Sequence, residues 1–427
     1  MGKFLLWAVG MAFRPAGIAL PAKGCRPSPA GLTPRIALHR NMVFFVFILS
    51  GFASALSNRS MDPLLTLIAR DFSIPITTAA LLTSAYAFPY ALSQPVLGPI
   101  GDFYGKTRVL KTCLWLLAFC TIGCIFAPTF EILLGFRLLG GIAAGGIMPV
   151  AMATLGDKYP PHLRQLAIGR FLTAGLTGMI LGASLAGIMA MSLGWRSFLY
   201  VTAGVALAAA TGATLLLHEN ARPTGHIRLS DAATSYGSVF SNPKSWLCFG
   251  TVFLEALALY GCTPFIGELI EANGLGTARE AGFVLAGVGI GGLTYSITLH
   301  ITLRLFRRPQ MMAIGGCLAS VGLLGMALAL PWPLMCLCFT VTGFGFMMLH
   351  NSVQAEVAEL APSARASAFS MHSCSFFLGQ AIGPIIFGFG LHHVGRGWLV
   401  LNMALLAATG LVASQLFARH PSASGRF

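Results

Sequence analysis

Charge is what this sequence has least of. Of 427 residues only 9% are Asp, Glu, Lys or Arg, against about 25% in a soluble domain. So few charged groups cannot cover a water-facing surface, which excludes an ordinary soluble enzyme or binding domain. Acids are scarcest, 13 Asp and Glu against 27 Lys and Arg. Familiar catalytic signatures are also missing. No Gly-x-x-x-x-Gly-Lys-Ser/Thr phosphate loop occurs, so ATP is not the expected energy source. Neither a Gly-x-Ser-x-Gly nucleophile elbow nor a His-Glu-x-x-His zinc helix is present, and no clustered catalytic set supports a membrane enzyme. The 10 cysteines are scattered. Neither close pair, Cys120 with Cys124 or Cys336 with Cys338, is joined by a second pair or by His at zinc spacing. They read as small hydrophobes inside apolar helices, and neither a metal nor a cofactor is expected.

What is present is apolar. Hydrophobic types make up 56% of the chain, with 50 Gly, a combination common where helices pack closely in lipid. In a bilayer every backbone polar group must be satisfied internally, so the chain is either helical or a closed barrel. The apolar runs are long and continuous, whereas barrel strands alternate over about ten residues. The expected fold is therefore all-α and integral to the membrane. Twelve spans are expected near 41–63, 76–100, 109–127, 131–154, 165–191, 196–217, 245–268, 280–304, 311–330, 333–354, 366–390 and 397–418. A span needs about 20 residues, so these fit with short connections and one longer link.

The net charge of +14 would suggest nucleic acid in a soluble protein. Here the cations sit in short connections, where they act as topology signals, and no aromatic-interleaved basic surface exists, so no nucleic-acid partner is expected. With residues 1–40 placed inside, the inner segments hold 21 Lys and Arg and the outer ones 5, namely Arg59, Arg70, Arg196, Arg279 and Arg396. Both termini are therefore expected in the cytosol. Residues 1–40 carry six cations and no acid. Residues 4–13 have the polarity of a signal-peptide core, but cleavage there would send the next segment to the wrong side for the charge pattern. The segment is read as a disordered cytosolic tail, or as the product of an upstream start codon.

The stretch 218–244 is the one long polar interior link. It divides the chain into bundles at 41–217 and 245–418, with a short tail at 419–427, and the two parts resemble each other at an offset of 201. Pro161-x-x-Arg164 recurs as Pro362-x-x-Arg365, Gly178 and Gly182 recur as Gly379 and Gly383, and Gly194 recurs as Gly395. The expected architecture is two pseudo-symmetric six-helix bundles, as in transporters whose site lies between repeats.

Between the second and third spans stands GPIGDFYGKTR, residues 98–108. With twelve spans and two halves, this stretch resembles the major facilitator superfamily, whose hallmark there is Gly-x-x-x-Asp-Arg/Lys-x-Gly-Arg/Lys-Arg/Lys. Gly98, Asp102, Gly105 and Lys106 match, Phe103 and Thr107 do not, and Arg108 supplies a cation one place later. Gly98 allows close helix approach. Gly105 permits the tight turn, and Lys106, Arg108 and Lys111 hold the connection in the cytosol. Asp102 stands where a helix end is already negative and needs a partner. The resemblance implies that this partner is the amino end of the eleventh helix, near Pro362, Ser363 and Ala364, making Asp102 a latch of the outward-open state.

FRLLGGIAAGGIMP, residues 136–149, resembles the fourth helix of the same superfamily. Arg137 takes the place of its buried Arg, to which the resemblance assigns proton coupling or anion binding. An Arg within a span costs about 2.5–3.5 kcal/mol even on a lenient scale, so Arg137 is expected to face the central cavity; the alternative is snorkelling to the interface. GMILGASLAG, residues 178–187, is similar to the fifth-helix signature of twelve-helix drug:proton antiporters. Ala183 replaces its Pro and Ala186 its first closing Gly, while GQAIGP at 379–384 supplies Pro384 in the second half. The small residues allow close packing between helices.

Glu255, near the middle of the seventh span, reads as the one acid deep in a span. A carboxylate there can carry a proton and is the first candidate for proton coupling; the alternative is a protonated Glu that hydrogen-bonds a neighbouring helix. Arg59 and Asp62 are three apart and can pair on one face, either lining the outer mouth or capping the first helix. Tyr86, Tyr90 and Gln94 on the second span, His350, Asn351 and Gln354 on the tenth, and His372 and Gln380 on the eleventh are candidate cavity residues. Each alone is more often an interhelical hydrogen bond. His392 and His393 lack a third ligand nearby in sequence.

The expected function is secondary active transport in a bacterial inner membrane by a monomer that alternates access. The expected partners are a small partly apolar substrate, protons and the lipid bilayer, with export driven by the proton gradient. Proton-coupled uptake of an organic anion or sugar is the alternative. A non-transporting sensor on the same fold is a second, distinguished by the absence of flux.

Overall fold

The computed structural model describes residues 34–218, 229–361 and 364–419. Among them the secondary structure is helical throughout. The chain begins with α1 (Pro34–Arg59), a 3-10 turn at Asp62–Leu64, α2 (Leu65–Asp71) and α3 (Ile76–Ala79). Next come α4 (Leu81–Tyr104), α5 (Lys106–Ile125), α6 (Phe130–Lys158), α7 (Pro161–Leu193) and α8 (Ser197–Leu216). The link holds α9 (Leu229–Phe240). The second part comprises α10 (Lys244–Cys262), a 3-10 turn at Thr263–Phe265, α11 (Ile266–Ala272), α12 (Ala278–Leu305), α13 (Arg308–Ala319), α14 (Val321–Ala327), α15 (Trp332–Leu360), α16 (Arg365–Val394) and α17 (Gly397–Arg419).

Among the described residues 11 helical segments are long and apolar enough to cross a membrane. The helix α4, 24 residues long, reaches about 36 Å at 1.5 Å per residue and occupies the place of the expected second span. Large side chains such as Phe119, Trp246, Leu337 and Phe389 point outward, each more than half exposed. A surface so apolar is matched to hydrocarbon rather than to water.

Local sequence sets the boundaries. Thr129 caps α6 by accepting from the Ile132 N–H, and Thr277 with Glu280 forms a capping box at α12, which satisfies orphan amide donors. Gly105 alone separates α4 from α5, with φ of 102°, a conformation closed to most L-residues. Pro63 and Pro264 sit at the starts of the two 3-10 turns, where a missing N–H is harmless. These turns lie 201 positions apart, and past each the chain continues helical, to Asp71 and to Ala272. The first span therefore runs Asn41–Asp71, beyond the expected end at 63. Helical structure also begins at Pro34, earlier than a tail of 1–40 implies; residues 1–33 lie outside the described residues.

Helix pairing repeats between the two parts. Within the first, α1 packs on α7, α4 on α6 and α5 on α8; within the second, α10 packs on α16, α12 on α15 and α13 on α17. The seam between them is made by α4 with α16 and α7 with α12. Glycines set the closest approaches. A Cβ on Gly178 or Gly182 would lie 2.7 Å and 2.8 Å from the carbonyl oxygens of Phe52 and Leu56. At the same offset of 201, Gly379 and Gly383 abut the carbonyls of Phe253 and Leu257. Pro384 lies within α16, which continues past it to Val394.

The core is fused at one end and divided at the other. One cluster of buried residues joins Leu64, Ile68 and Phe198 of the first part to Phe265, Leu285 and Phe339 of the second. It occupies the end that carries the connections at 72–75, 194–196, 273–277 and 395–396. Toward the opposite end, which carries Gly105 and the link, a first-part cluster around Phe47, Leu114 and Phe171 is separate from a second-part cluster around Val239, Val252 and Val353.

Candidate functional site

The larger cavity opens on the seam at the level of the two 3-10 turns. It encloses about 580 Å³ of empty space, including the part open to the exterior. The first part contributes Arg59, Asp62, Met179 and Ile180; the second contributes Tyr260, Thr263, Leu285, Val288, Phe346 and Met347. Most of this wall is apolar. Arg59 ends α1 and Asp62 opens the 3-10 turn, but neither lies at the end of the span, which continues twelve residues past Arg59 to Asp71. Both are buried, at 5% and 2% exposure, so Glu255 is not the one acid deep in a span. The Arg59 Nη1 donates to Asp62 Oδ2 at 3.0 Å, and Thr83 donates to Asp62 Oδ1 at 3.0 Å. The guanidinium also lies 3.9 Å from the centre of the Tyr260 ring, a cation–π contact across the seam. Its Nε and Nη2 have no acceptor.

Arg137 is buried as expected, but it lines a different cavity. A smaller space of about 250 Å³ lies inside the first part, between Ser57, Tyr86, Cys120 and Arg137. Arg137 donates through Nη1 to the Ser57 carbonyl at 3.2 Å and stands 4.0 Å over the Tyr86 ring. These contacts turn it toward α1 and α4 instead of the seam.

In the second part Glu255 is fully buried, and its Oε1 meets His350 Nδ1 at 2.5 Å. The His372 ring stands 4.8 Å from that of His350, and the His350 ring packs against Phe346 and Phe376. Glu255 Oε2 and His372 Nε2 have no hydrogen-bond partner. A carboxylate and two imidazoles within one apolar enclosure can hold and pass a proton.

The other candidates divide between helix contacts and the seam. Gln94 donates to the Gly145 carbonyl at 3.0 Å, joining α4 to α6. Tyr90 lies against Phe377 with ring centres 3.9 Å apart, across the seam. Gln380, completely buried, donates to Asn58 Oδ1 at 3.1 Å, also across the seam. Asn351 and Gln354 are half-buried on α15. None of Tyr86, Tyr90, Gln94, His350, Asn351, Gln354, His372 and Gln380 lines the larger cavity. The polar residues that do, Arg59, Asp62, Tyr260 and Thr263, include a pair whose spacing was visible in the sequence but whose depth was not.

At the divided end, Lys106 Nζ pairs with Asp157 at 2.7 Å. Arg308 pairs with Glu356 and Glu359 at 3.2 Å and 3.0 Å, so each part ties a connection to its own long helix. Arg108 is exposed. Gly98 and Asp102 fall within α4, and their side chains, like Pro362 and Ser363, lie outside the described residues. At the fused end, Arg70 pairs with Glu271 at 2.6 Å, two positions again separated by 201, and Arg196 pairs with Asp71 at 2.7 Å.

Comparison with known proteins agrees with this architecture. The chain matches the Major Facilitator Superfamily over residues 47–304 and 251–427. It is 26% identical over 378 residues to the uncharacterized MFS-type transporter YwfA of Bacillus subtilis, covering 85% of this chain and 89% of that one. It is 23% identical over 377 residues to the quinolone resistance protein NorA of Staphylococcus aureus, covering 86% and 94%. Among solved structures it resembles a bacterial homologue of the human lysosomal transporter Spinster in an inward-facing, unoccupied conformation. That likeness has a TM-score of 0.72 and 17% identity, over 92% of this chain and all of the other. A membrane-embedded helical fold, helix pairings that recur across a seam and a match spanning both parts place this chain in the major facilitator superfamily, a family of transporters.

Proposed function

We propose that this protein is a secondary active exporter of a small, partly apolar molecule, driven by the proton gradient across a bacterial plasma membrane. The observation that supports it best is the asymmetric core. Two parts that share one core at one end and hold separate cores at the other can rock about the cavity between them. The cation count assigns the divided end, with Lys106, Lys158 and Arg308, to the cytosol, and the fused end, with Arg70, Arg196, Arg279 and Arg396, to the exterior. Substrate then enters the seam from the cytosol. Opening outward requires separating Arg70 from Glu271 and Asn58 from Gln380, while Asp102 and the amino end of α16 latch the cytosolic side. The likeness to a quinolone resistance protein supports export, and the inward-facing relative supports the orientation.

Glu255 is assigned the coupling proton, held against His350. The test is flux of a quinolone in everted membrane vesicles under an imposed proton gradient. Accumulation that collapses with a protonophore is expected for the native protein. Glu255→Gln should abolish gradient-driven flux and spare counterflow exchange. Unchanged pH dependence in that variant would remove Glu255 as the coupling group, and binding without any flux would identify a sensor.

A further inference from the structure

Around the 3-10 turn of the first part, two buried guanidiniums accompany one buried carboxylate. Among the described residues the buried charged side chains are Arg59, Asp62, Arg137, Glu255 and Glu356. Glu356 belongs to the divided end, where Arg308 meets it. The bonded partner of Glu255 is His350, not a guanidinium. Two guanidiniums therefore remain around the 3-10 turn of the first part, Arg59 and Arg137, against the single carboxylate of Asp62. Arg137 shares its cavity with Ser60 and Met61, the residues that lead into that turn. Only one of the two guanidiniums has a carboxylate bonded to it, and a buried charge without a bonded counter-charge is costly.

The geometry shows which cation can be answered. On Arg59, Asp62 takes Nη1 only. The Nε and Nη2 groups lack an acceptor, and together they form the side-on edge of a guanidinium, two parallel donors spaced for the two oxygens of a carboxylate. Arg59 lines the larger cavity, whose remaining wall offers Met179, Ile180, Leu285, Val288, Phe346 and Met347. Asp62 does not compete as a docking group for a cation, because both its oxygens already accept, from Arg59 and Thr83. Arg137 has the same edge unpartnered, but its cavity is the smaller one and is lined by the first part alone.

We propose that the seam cavity takes a lipophilic monoanion, an apolar body bearing one carboxylate, and that the Nε–Nη2 edge of Arg59 grips that carboxylate. One carboxylate fills the two open donors of Arg59, whereas a cationic head would meet a second cation there. This inference rests on reading the seam as the transport path, and it names the substrate class for that path.

The experiment uses the full-length protein in lipid nanodiscs with three ligands of one body: ibuprofen, its primary amide and the corresponding primary amine. Calorimetric titration should give the carboxylate about tenfold or greater preference over both others. Arg59→Gln should erase that preference, and Arg59→Lys, which keeps the charge but not the two-donor edge, should recover only part of it. Because Arg59→Gln strands Asp62, the double variant Arg59→Gln/Asp62→Asn serves as the folded control and should also lack the preference. Equal affinity for all three heads, tighter binding of the amine, no binding of any head, or a preference that survives in the double variant would each overturn the proposal. Quinolone flux in vesicles is scored separately, so a transporter without carboxylate selectivity is told apart from a protein that does not transport.

Discussion

Gln380 offers the sharpest test of an alternating seam. Its amide donates to Asn58 Oδ1 at 3.1 Å, with Gln380 at 0% exposure and Asn58 at 7%, and the bond joins α16 to α1. In Gln380→Leu the Asn58 oxygen stays buried without its donor while the fused end is closed, and regains water when that end opens. Stranding a buried acceptor costs about 1–3 kcal/mol. At about 1.4 kcal/mol per tenfold, the equilibrium should move about fivefold to a hundredfold toward the outward-open state. Replacing both partners, Asn58→Leu with Gln380→Leu, strands nothing and should restore most of the native distribution. By contrast Arg70 is 69% exposed in its pair with Glu271. An exposed ion pair contributes about 0–1 kcal/mol, so Arg70→Ala should shift the equilibrium by no more than about fivefold. The assay is pulsed electron–electron distance measurement between spin labels at Ser192 and Ala272, both exposed at the fused end, in a background with the native cysteines replaced. Unchanged distances in Gln380→Leu, or a double variant displaced as far as the single one, would refute the assignment of this bond to the outer closure.

Two further predictions concern packing and the cytosolic latch. A Cβ on Gly383 would stand 2.6 Å from the Leu257 carbonyl oxygen and 2.9 Å from Gly261 Cα, whereas one on Gly204 would meet nothing within 4 Å. Gly383→Ala should therefore destabilise by about 1–3 kcal/mol through overpacking, and Gly204→Ala should be neutral or stabilising by up to about 1 kcal/mol; denaturation in detergent compares them, and equal stabilities would contradict the packing. Asp102→Asn should leave the protein in the membrane and impair transport, with normal flux in vesicles counting against the latch.

The site was legible only in fragments. Glu255 stood out because an acid inside an apolar run is expensive wherever it faces, yet His350, 95 positions away, could not be assigned to it by spacing. The polar candidates on the second span were recognisable as polar, but helix spacing does not tell a group aimed at a cavity from one bonded to the next helix. Gln94 proved to be the latter. Arg59 and Asp62 were recognised as a pair and placed too close to the surface, because the first span was expected to end at 63. In the fold Asp62–Leu64 is a single 3-10 turn, and the span continues to Asp71.

What the sequence determined by itself is the membrane character, the approximate places of the spans, the direction of the charge bias and the repeat at 201. Each depends on local quantities: the polarity of a stretch against its solvent, and the side on which cations are retained. What only the tertiary structure decided is which end of the seam is fused, that Arg59 borders the cavity while Arg137 does not, and that Gln380 reaches Asn58 across 322 positions. Those depend on which helix faces meet, a matter of packing between segments far apart along the chain, and no periodicity within one helix encodes its partner.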